Sequence, residues 1–202
     1  MIPAMTSDID WAGYHRATAV RPAKDLLRRA LGLIQADTPA PGRAIDLGFG
    51  AGAGTLELLR RGWHVQAIDS APSAAEALLS AAPIDHRDAL SIATCAFGGC
   101  VLDAADLVWA GVSLPFCDKD QWPHFWASVV AALKPGGRFA GDFFGERHAW
   151  ARDADILSFT EPQVRALFAA FDIEVVVIDE GLAPTSRGTE HWHAYGVVAR
   201  KR

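Results

Sequence analysis

The sequence lacks long hydrophobic runs and long runs of charge of one sign. No stretch approaches the roughly 18 consecutive apolar residues that a membrane helix needs, and the N-terminus carries Asp8 and Asp10 without the apolar segment of a secretion signal. The net charge of −5 is spread along the chain, so the basic surface typical of a nucleic-acid-binding protein is missing. We therefore expect a cytoplasmic protein that binds neither a membrane nor nucleic acid.

Cysteine is scarce as well. The chain has 3 cysteines, Cys95, Cys100 and Cys117, an odd number without the spacing of a metal site. We expect them to be reduced thiols, as in most cytosolic proteins. His191 and His193 alternate on a predicted strand and share one of its faces, but no third metal ligand lies near them in the sequence. We therefore predict no metal site.

Hydrophobic residues make up 50% of the 202 positions, which is enough for one core, and we predict a single domain over residues 1–202. Beyond residue 22, helical and strand-like patterns alternate. Seven segments have the pattern of strands: residues 44–48, 64–70, 90–97, 105–113, 138–145, 173–181 and 191–201. The predicted fold is α/β, a doubly wound, Rossmann-like and mostly parallel seven-stranded sheet with helices on both faces. No helix separates the last two strands, so the last strand is predicted to be antiparallel.

Four glycines at alternate positions follow the first predicted strand, in AIDLGFGAGAGTLELLRRG. A strand, a glycine-rich turn and a helix N-terminus together form a site for the polar part of a nucleotide-like ligand. Asp69 ends the second strand, where an acid can accept hydrogen bonds from both ribose hydroxyls. The pattern predicts a ligand site, and the alternative is a tight turn that binds nothing.

Asp46 distinguishes between two kinds of ligand. Its carboxylate lies two residues before the first glycine, within reach of the turn. A pyrophosphate would be repelled by this charge, whereas an ammonium or sulfonium group would be attracted. Asp46 therefore favours a positively charged cofactor over a dinucleotide.

Four motifs in order, DLGFGAG, AIDS, ADLVWAGVSLPF and ALKPGGRF, resemble those of the class I S-adenosylmethionine-dependent methyltransferases. The resemblance covers about residues 40–200, and the loops further resemble small bacterial methyltransferase-domain or tellurite-resistance-like enzymes. It implies S-adenosyl-L-methionine as cofactor and a small-molecule methyl acceptor. The cofactor-binding residues that we predict are Asp46, Gly48, Phe49, Gly50, Gly52, Asp69, Ser70, Phe97, Trp109, Ala110 and Gly111. Many family members have an acid where this chain has Ala96, so the resemblance leaves Phe97 to stack on the adenine, with Ser70 beside it.

The predicted acceptor pocket combines three segments outside the carboxyl ends of the strands. The N-terminal residues 1–22 have no place in the sheet and are expected to form a lid over a catalytic core of residues 40–202. Residues 113–119 and 143–150 follow the fourth and fifth strands and supply aromatic side chains. We predict that Tyr14 lies near the transferring methyl group, with Arg147 facing it across the pocket.

Two other functions remain open at this point. A non-catalytic S-adenosylmethionine-binding protein on a degenerate methyltransferase fold would account for the missing acid at Ala96. An NAD(P)-dependent oxidoreductase would match the glycine spacing but would place a pyrophosphate beside Asp46. The sequence determines neither the acceptor nor the oligomeric state.

Overall fold

The computed structural model describes residues 10–18, 21–38, 40–185 and 187–202, and only the backbone of Tyr14, Ala17 and Ile84. The helices are α1 (Trp11–Thr18), α2 (Asp25–Asp37), α3 (Ala53–Arg60), α4 (Pro72–Ala81), α5 (Trp122–Ala132) and α6 (Glu161–Leu167). The strands are β1 (Arg43–Leu47), β2 (His64–Asp69), β3 (Leu90–Thr94), β4 (Ala105–Ala110), β5 (Leu133–Phe144), β6 (Phe171–Thr185) and β7 (Gly188–Lys201).

The seven strands form one sheet in the order β3-β2-β1-β4-β5-β7-β6. Strands β1 to β5 pair in parallel, while β7 runs antiparallel between β5 and β6. The predicted fold and the antiparallel last strand are therefore confirmed. Because the strand order reverses between β1 and β4, the carboxyl ends of these two strands border a cleft.

Alternation along each strand divides the core into two layers. In β1, Ile45 and Leu47 join the cluster beneath α5 and α6, whereas Ala44 joins the cluster beneath α2, α3 and α4. Asp46 is two residues from Ala44 and points to the same face of the sheet, where it lies fully buried on the α3 side. The sheet is thus covered on both faces, as predicted.

Local signals account for several helix ends. Thr160 caps α6 in a reciprocal capping box with Gln163, and Pro72 occupies the first turn of α4. α5 ends at Ala132, because Pro135 cannot continue a helix and the chain enters β5 directly. α6 ends at Leu167 rather than at Phe171, where β6 begins and pairs with Lys201 of β7.

The N-terminal residues 1–22 are predicted to lie outside the sheet as a lid. Residues 11–18 form helix α1, which lies outside the sheet and packs against α4. None of the helices in the described ranges is both long and apolar enough to cross a membrane.

Candidate active site

The glycine turn between β1 and α3 lies at the carboxyl edge of the sheet. The backbone N–H groups of Gly48 and Phe49 donate to the carbonyl oxygen of Ile68 at 2.7 and 3.3 Å, which ties the turn to the end of β2. Gly48, Gly50 and Gly52 all have positive φ, at 67°, 54° and 89°. These angles are costly for residues with a Cβ, so the alternating glycines make the turn possible.

The glycines of this stretch have different surroundings. A Cβ at Gly48 would overlap Ser113, and one at Gly52 would lie 2.7 Å from Leu78, so both glycines allow close packing. A Cβ at Gly54 would lie 2.6 Å from Trp109 Nε1, which explains the fourth glycine as a contact between α3 and β4. A Cβ at Gly50 would meet only the ring of His15, at 3.7 Å. Gly50 is therefore the position of the turn that borders the cleft.

Asp69 ends β2 beside the turn. Its two carboxylate oxygens accept hydrogen bonds at 2.9 Å from the backbone N–H groups of Gly50 and Ala71. A carboxylate has about four acceptor sites, so capacity remains for two hydroxyl groups of a ligand. The neighbouring Ser70 is exposed at the same edge.

Asp46 lies beneath the turn and accepts a hydrogen bond from the Thr55 hydroxyl at 2.7 Å. Burial, helped by the nearby charge of Asp69 and opposed by the bond from Thr55, raises the pKa of Asp46 to about 7. A cation in the cleft would lower the pKa of Asp46 again, because it would favour the charged form of the carboxyl group.

Phe97 lies on the other side of the turn, after β3. Its ring stacks on Phe125, with centroids 4.9 Å apart and an interplanar angle of 10°, and its Cζ lies 3.5 Å from the Cβ position of Gly48.

Cys95 and Cys100 form a disulfide that closes the loop around Phe97. The prediction of three reduced thiols is therefore wrong for this pair, because the short loop folds back and brings the two sulfur atoms together. Cys117 alone is a free thiol, and burial raises its pKa to about 11.

The end of β4 supplies the floor of the cleft. The Trp109 ring lies under α3 and against Gly111, and the side chains of Phe49, Trp109 and Ala110 are all buried. These three residues are therefore part of the packed layer beneath the cleft. Val112 follows with φ of 62°, a strained angle for a β-branched residue. Such strain is common where a chain is held in place for function.

Helix α1 covers part of the cleft. Trp11 meets Phe116 edge to face at 5.0 Å, and His15 lies over Gly50 with its Nδ1 3.3 Å from the Ser73 hydroxyl. Burial lowers the pKa of His15, although the charge of Asp69 opposes the shift. His15 was not predicted from the sequence, yet its spacing of four residues from Trp11 was the available signal for a shared helix face. The side chain of Tyr14, the predicted catalytic residue of this helix, lies outside the described part of the structure.

Arg147 lies in a polar cluster beside the β6–β7 hairpin. Its guanidinium donates twice to the Glu180 carboxylate at 2.8 Å, contacts Glu146 at 3.1 Å and lies 2.9 Å from His193 Nε2. Hydrogen bonds from Arg147 lower the pKa of Glu180 to about 2. These contacts hold the guanidinium toward the hairpin, and its role in catalysis stays a prediction.

The described residues contain no group of three His, Cys, Asp or Glu side chains arranged to hold a metal ion. His193 is buried against Arg147, and His191 bonds to Glu180 at 3.1 Å.

Comparison with known proteins agrees with this geometry. Residues 44–137, from β1 to the start of β5, match the family model described as a methyltransferase domain. The chain therefore resembles a methyltransferase domain over these residues, and its sheet has the fold of the class I S-adenosylmethionine-dependent methyltransferases. The predicted resemblance is confirmed, and the cofactor of this domain family is S-adenosylmethionine.

Three known proteins are similar to this chain. TehB from Haemophilus influenzae superposes with a TM-score of 0.72 at 15% identity, over 87% of this chain and 62% of TehB. The 1,6-didemethyltoxoflavin-N1-methyltransferase of Burkholderia thailandensis superposes with a TM-score of 0.66 at 24% identity, over 98% of this chain and 87% of that enzyme. Hemagglutinin 1 of Eikenella corrodens is 27% identical over 128 residues, or 61% of this chain. The chain spans 40% of the length of this curated relative.

Four of the predicted cofactor-binding residues have properties that suit parts of S-adenosylmethionine. Asp69 offers free acceptor sites for ribose hydroxyls, and Gly50 leaves the space that a Cβ would fill. Asp46 offers a buried carboxyl group to the positive charges, and Phe97 offers an aromatic surface to the adenine. The individual assignments stay predictions for mutagenesis.

We expect S-adenosylmethionine to bind more tightly as the pH rises through the pKa of Asp46. The ionised carboxylate attracts the positive groups of the cofactor, whereas the protonated carboxyl does not. With a pKa of about 7 in the free protein, affinity at pH 8 should exceed that at pH 6 about tenfold. Calorimetric titration at both pH values measures the change.

Two variants serve as controls for this pH dependence. Asp46→Asn should bind weakly at both pH values, whereas His15→Gln should retain the dependence, since it removes the other titrating group near Asp69. Equal wild-type affinities at pH 6 and pH 8 would contradict the role of Asp46.

Because the folded-state pKa of Asp46 lies above its unfolded value, the contribution of Asp46 to the free energy of unfolding falls as the pH rises from about 4 to 7.

Proposed function

We propose that this protein transfers a methyl group from S-adenosylmethionine to a small organic molecule. The observation that carries the proposal is the continuity of two surfaces at the carboxyl edge of the sheet. Gly50 and Asp69 border the polar part of the cleft, and Asp46 lies buried beneath it. Helix α1 joins this part to the aromatic side chains after β4 and β5, because His15 lies over Gly50 and Trp11 packs on Phe116. An apolar wall with a few polar groups suits a small organic acceptor.

The solved relatives support this class of acceptor. The Burkholderia enzyme was crystallised with 1,6-didemethyltoxoflavin, its small-molecule substrate by name, and with S-adenosylhomocysteine. The predicted acceptor, small and without nucleic acid or membrane, is of the same kind. The oxidoreductase alternative finds no support, because the buried Asp46 would lie beside a pyrophosphate.

The protein residues act mainly by placement. When bound, S-adenosylmethionine supplies an electrophilic methyl group. Asp69 and the glycine turn would hold the cofactor, the aromatic side chains would position the acceptor beside its methyl group, and α1 would exclude water. Placement of this kind contributes roughly 7–11 kcal/mol to the lowering of a barrier. A general base is needed only for an acceptor that binds with its proton still attached.

A metabolite library screened for release of S-adenosylhomocysteine tests the proposal. At least one small molecule should give turnover above the acceptor-free background, and Asp69→Ala should abolish it. Tight binding of S-adenosylhomocysteine without turnover on any library member would instead favour the non-catalytic binding protein.

The lid prediction concerns residues 1–22, of which α1 is the described helix that reaches the cleft. Deleting residues 1–20 should lower turnover about a hundredfold through poorer placement and water entry. The loss of thermal stability should be modest, because α1 lies outside the sheet and its main contacts are with α4 and Phe116. Turnover and Tm measured together check both statements.

Arg16→Ala is the matched control for the lid, since Arg16 is exposed on the same helix. It should keep full turnover, whereas Trp11→Ala, which removes the contact with Phe116, should lose much of it. If the truncated protein turns over normally or fails to fold, the lid hypothesis should be abandoned.

The cytoplasm remains the proposed compartment. Disulfides are rare there, so the Cys95–Cys100 bond is the feature of this chain that argues against it. Alkylation of thiols at the moment of cell lysis, followed by mass measurement, shows how many of the three cysteines are free.

A further inference from the structure

Five aromatic side chains meet where the loops after β4 and β5 reach β7: Phe116, Phe144, His148, Trp150 and Trp192. We call them the aromatic cluster. The His148 ring lies flat on Phe144, with centroids 3.7 Å apart and planes 11° apart. Trp150 and Trp192 stand edge-on to Phe144 at 6.1 and 5.3 Å. Trp11 of α1 reaches the cluster through Phe116.

The hydrogen bonds of His148 determine its tautomer. The backbone N–H of Trp150 donates to His148 Nδ1 at 3.0 Å, so the ring proton of the neutral form resides on Nε2. Burial lowers the pKa of His148 to about 4, which keeps the ring neutral at physiological pH. His148 therefore presents one uncharged N–H donor.

This donor and a second one have no partner within the described residues. His148 Nε2 and Trp192 Nε1 are both buried and make no hydrogen bond there. Their rings lie 5.0 Å apart at 68°, in the same aromatic cluster. The Trp150 indole, in contrast, donates to Glu190 at 2.6 Å. Buried N–H groups nearly always find a partner, so two neighbouring exceptions call for an explanation.

We infer that His148 and Trp192 bind the hydrogen-bond-accepting atoms, carbonyl oxygen or ring nitrogen, of a flat heteroaromatic methyl acceptor. The inference rests on the proposed methyltransferase function and names its substrate class. Aromatic faces and edges surround the two donors, and a flat ring fits such surroundings. Two uncharged donors favour acceptor atoms and disfavour amines and ammonium groups at this end of the molecule. Since both N–H groups are buried, a ligand reaches them only when neighbouring side chains of the aromatic cluster move.

A panel of paired compounds tests the substrate class in the presence of saturating S-adenosylhomocysteine. Lumazine, hypoxanthine and 4-quinolone carry ring carbonyls, whereas naphthalene and indene are flat bicyclic rings without acceptor atoms. Quenching of tryptophan fluorescence or competition calorimetry measures binding. At least one carbonyl compound should bind tenfold or more tightly than the acceptor-free rings. Absence of binding by all carbonyl compounds, in protein that binds S-adenosylhomocysteine, overturns the inference and leaves the proposed function intact.

Two variants test whether the N–H groups of His148 and Trp192 cause the preference for carbonyl compounds. Trp192→Phe removes an indole N–H and keeps an aromatic ring. His148→Asn removes Nε2–H and retains an oxygen that can accept from the Trp150 backbone. Each should reduce the preference for carbonyl compounds about tenfold while leaving the affinity for S-adenosylhomocysteine unchanged. A preference that survives in both variants overturns the inference. Loss of S-adenosylhomocysteine binding in the wild type would instead count against the proposed function.

Thermal stability gives a readout that needs no ligand. Trp126 is the comparison residue: its indole donates to the Leu167 carbonyl at 3.3 Å, and it is more deeply buried than Trp192. Trp126→Phe should lower the Tm by about 2–4 °C more than Trp192→Phe, since only the former breaks a hydrogen bond and since it also loses more buried surface. Equal losses would show that the Trp192 donor is already bonded to a trapped water, and the inference would be wrong.

Discussion

Replacing Asp69 by alanine is expected to weaken the binding of S-adenosylhomocysteine about ten- to a hundredfold. The carboxylate at the end of β2 accepts from the backbone of Gly50 and Ala71 and has free acceptor sites on the cleft side. Charge-assisted hydrogen bonds to a ribose contribute about 1.5–3 kcal/mol, which corresponds to that range. Calorimetric titration of the folded variant measures the loss.

Asp69→Ala could weaken binding in two ways, because the carboxylate also accepts a hydrogen bond from Gly50 and so holds the glycine turn. The loss of the ribose contact must be separated from a disordering of this turn. The 2′-deoxy analogue of S-adenosylhomocysteine provides the separation. Wild-type protein should bind the analogue more weakly than the parent compound, whereas Asp69→Ala should bind both alike. Asp69→Asn, which retains one acceptor oxygen without the charge, should lie between them. If Asp69→Ala still distinguishes the two compounds, the ribose contact is made elsewhere.

Valine at position 50 is expected to abolish cofactor binding while the fold survives. Gly50 has φ of 54°, and a Cβ there would extend toward His15 across the cleft. The left-handed conformation costs a residue with a side chain about 1–2 kcal/mol, which a domain of this size can tolerate. The valine methyl groups would then occupy the space that the cofactor needs. Titration with S-adenosylhomocysteine and a thermal melt measure both effects.

Gly136→Val is the matched control for strain. Gly136 has φ of 78°, and a Cβ there would meet only the flexible Arg200 side chain at 3.7 Å. It lies near the start of β5, at the opposite edge of the sheet from the cleft. Gly136→Val should lose similar stability and keep normal affinity. A Gly50→Val protein that melts normally and still binds S-adenosylhomocysteine would show that the turn is only structural.

Local patterns were sufficient to predict most of the sheet and the position of the glycine turn between β1 and α3. Period-two apolar runs, proline and glycine at helix ends, and the glycine turn all act over a few residues, so they are visible in a single sequence. The packing roles within the turn were not visible. Gly48 and Gly54 are required by Ser113 and Trp109, which lie more than fifty residues away in the chain.

By itself, then, the sequence determined the alternation of strands and helices, the antiparallel last strand and, through the resemblance of four motifs to a known family, the cofactor class. Only the tertiary structure decided which side chains face one another. It joined Cys95 to Cys100, placed His15 of α1 over Gly50, held Arg147 against Glu180, and left His148 and Trp192 with buried N–H groups. The physical reason is range: element type depends on neighbours in the chain, whereas hydrogen-bond partners depend on segments that meet only when the core has packed.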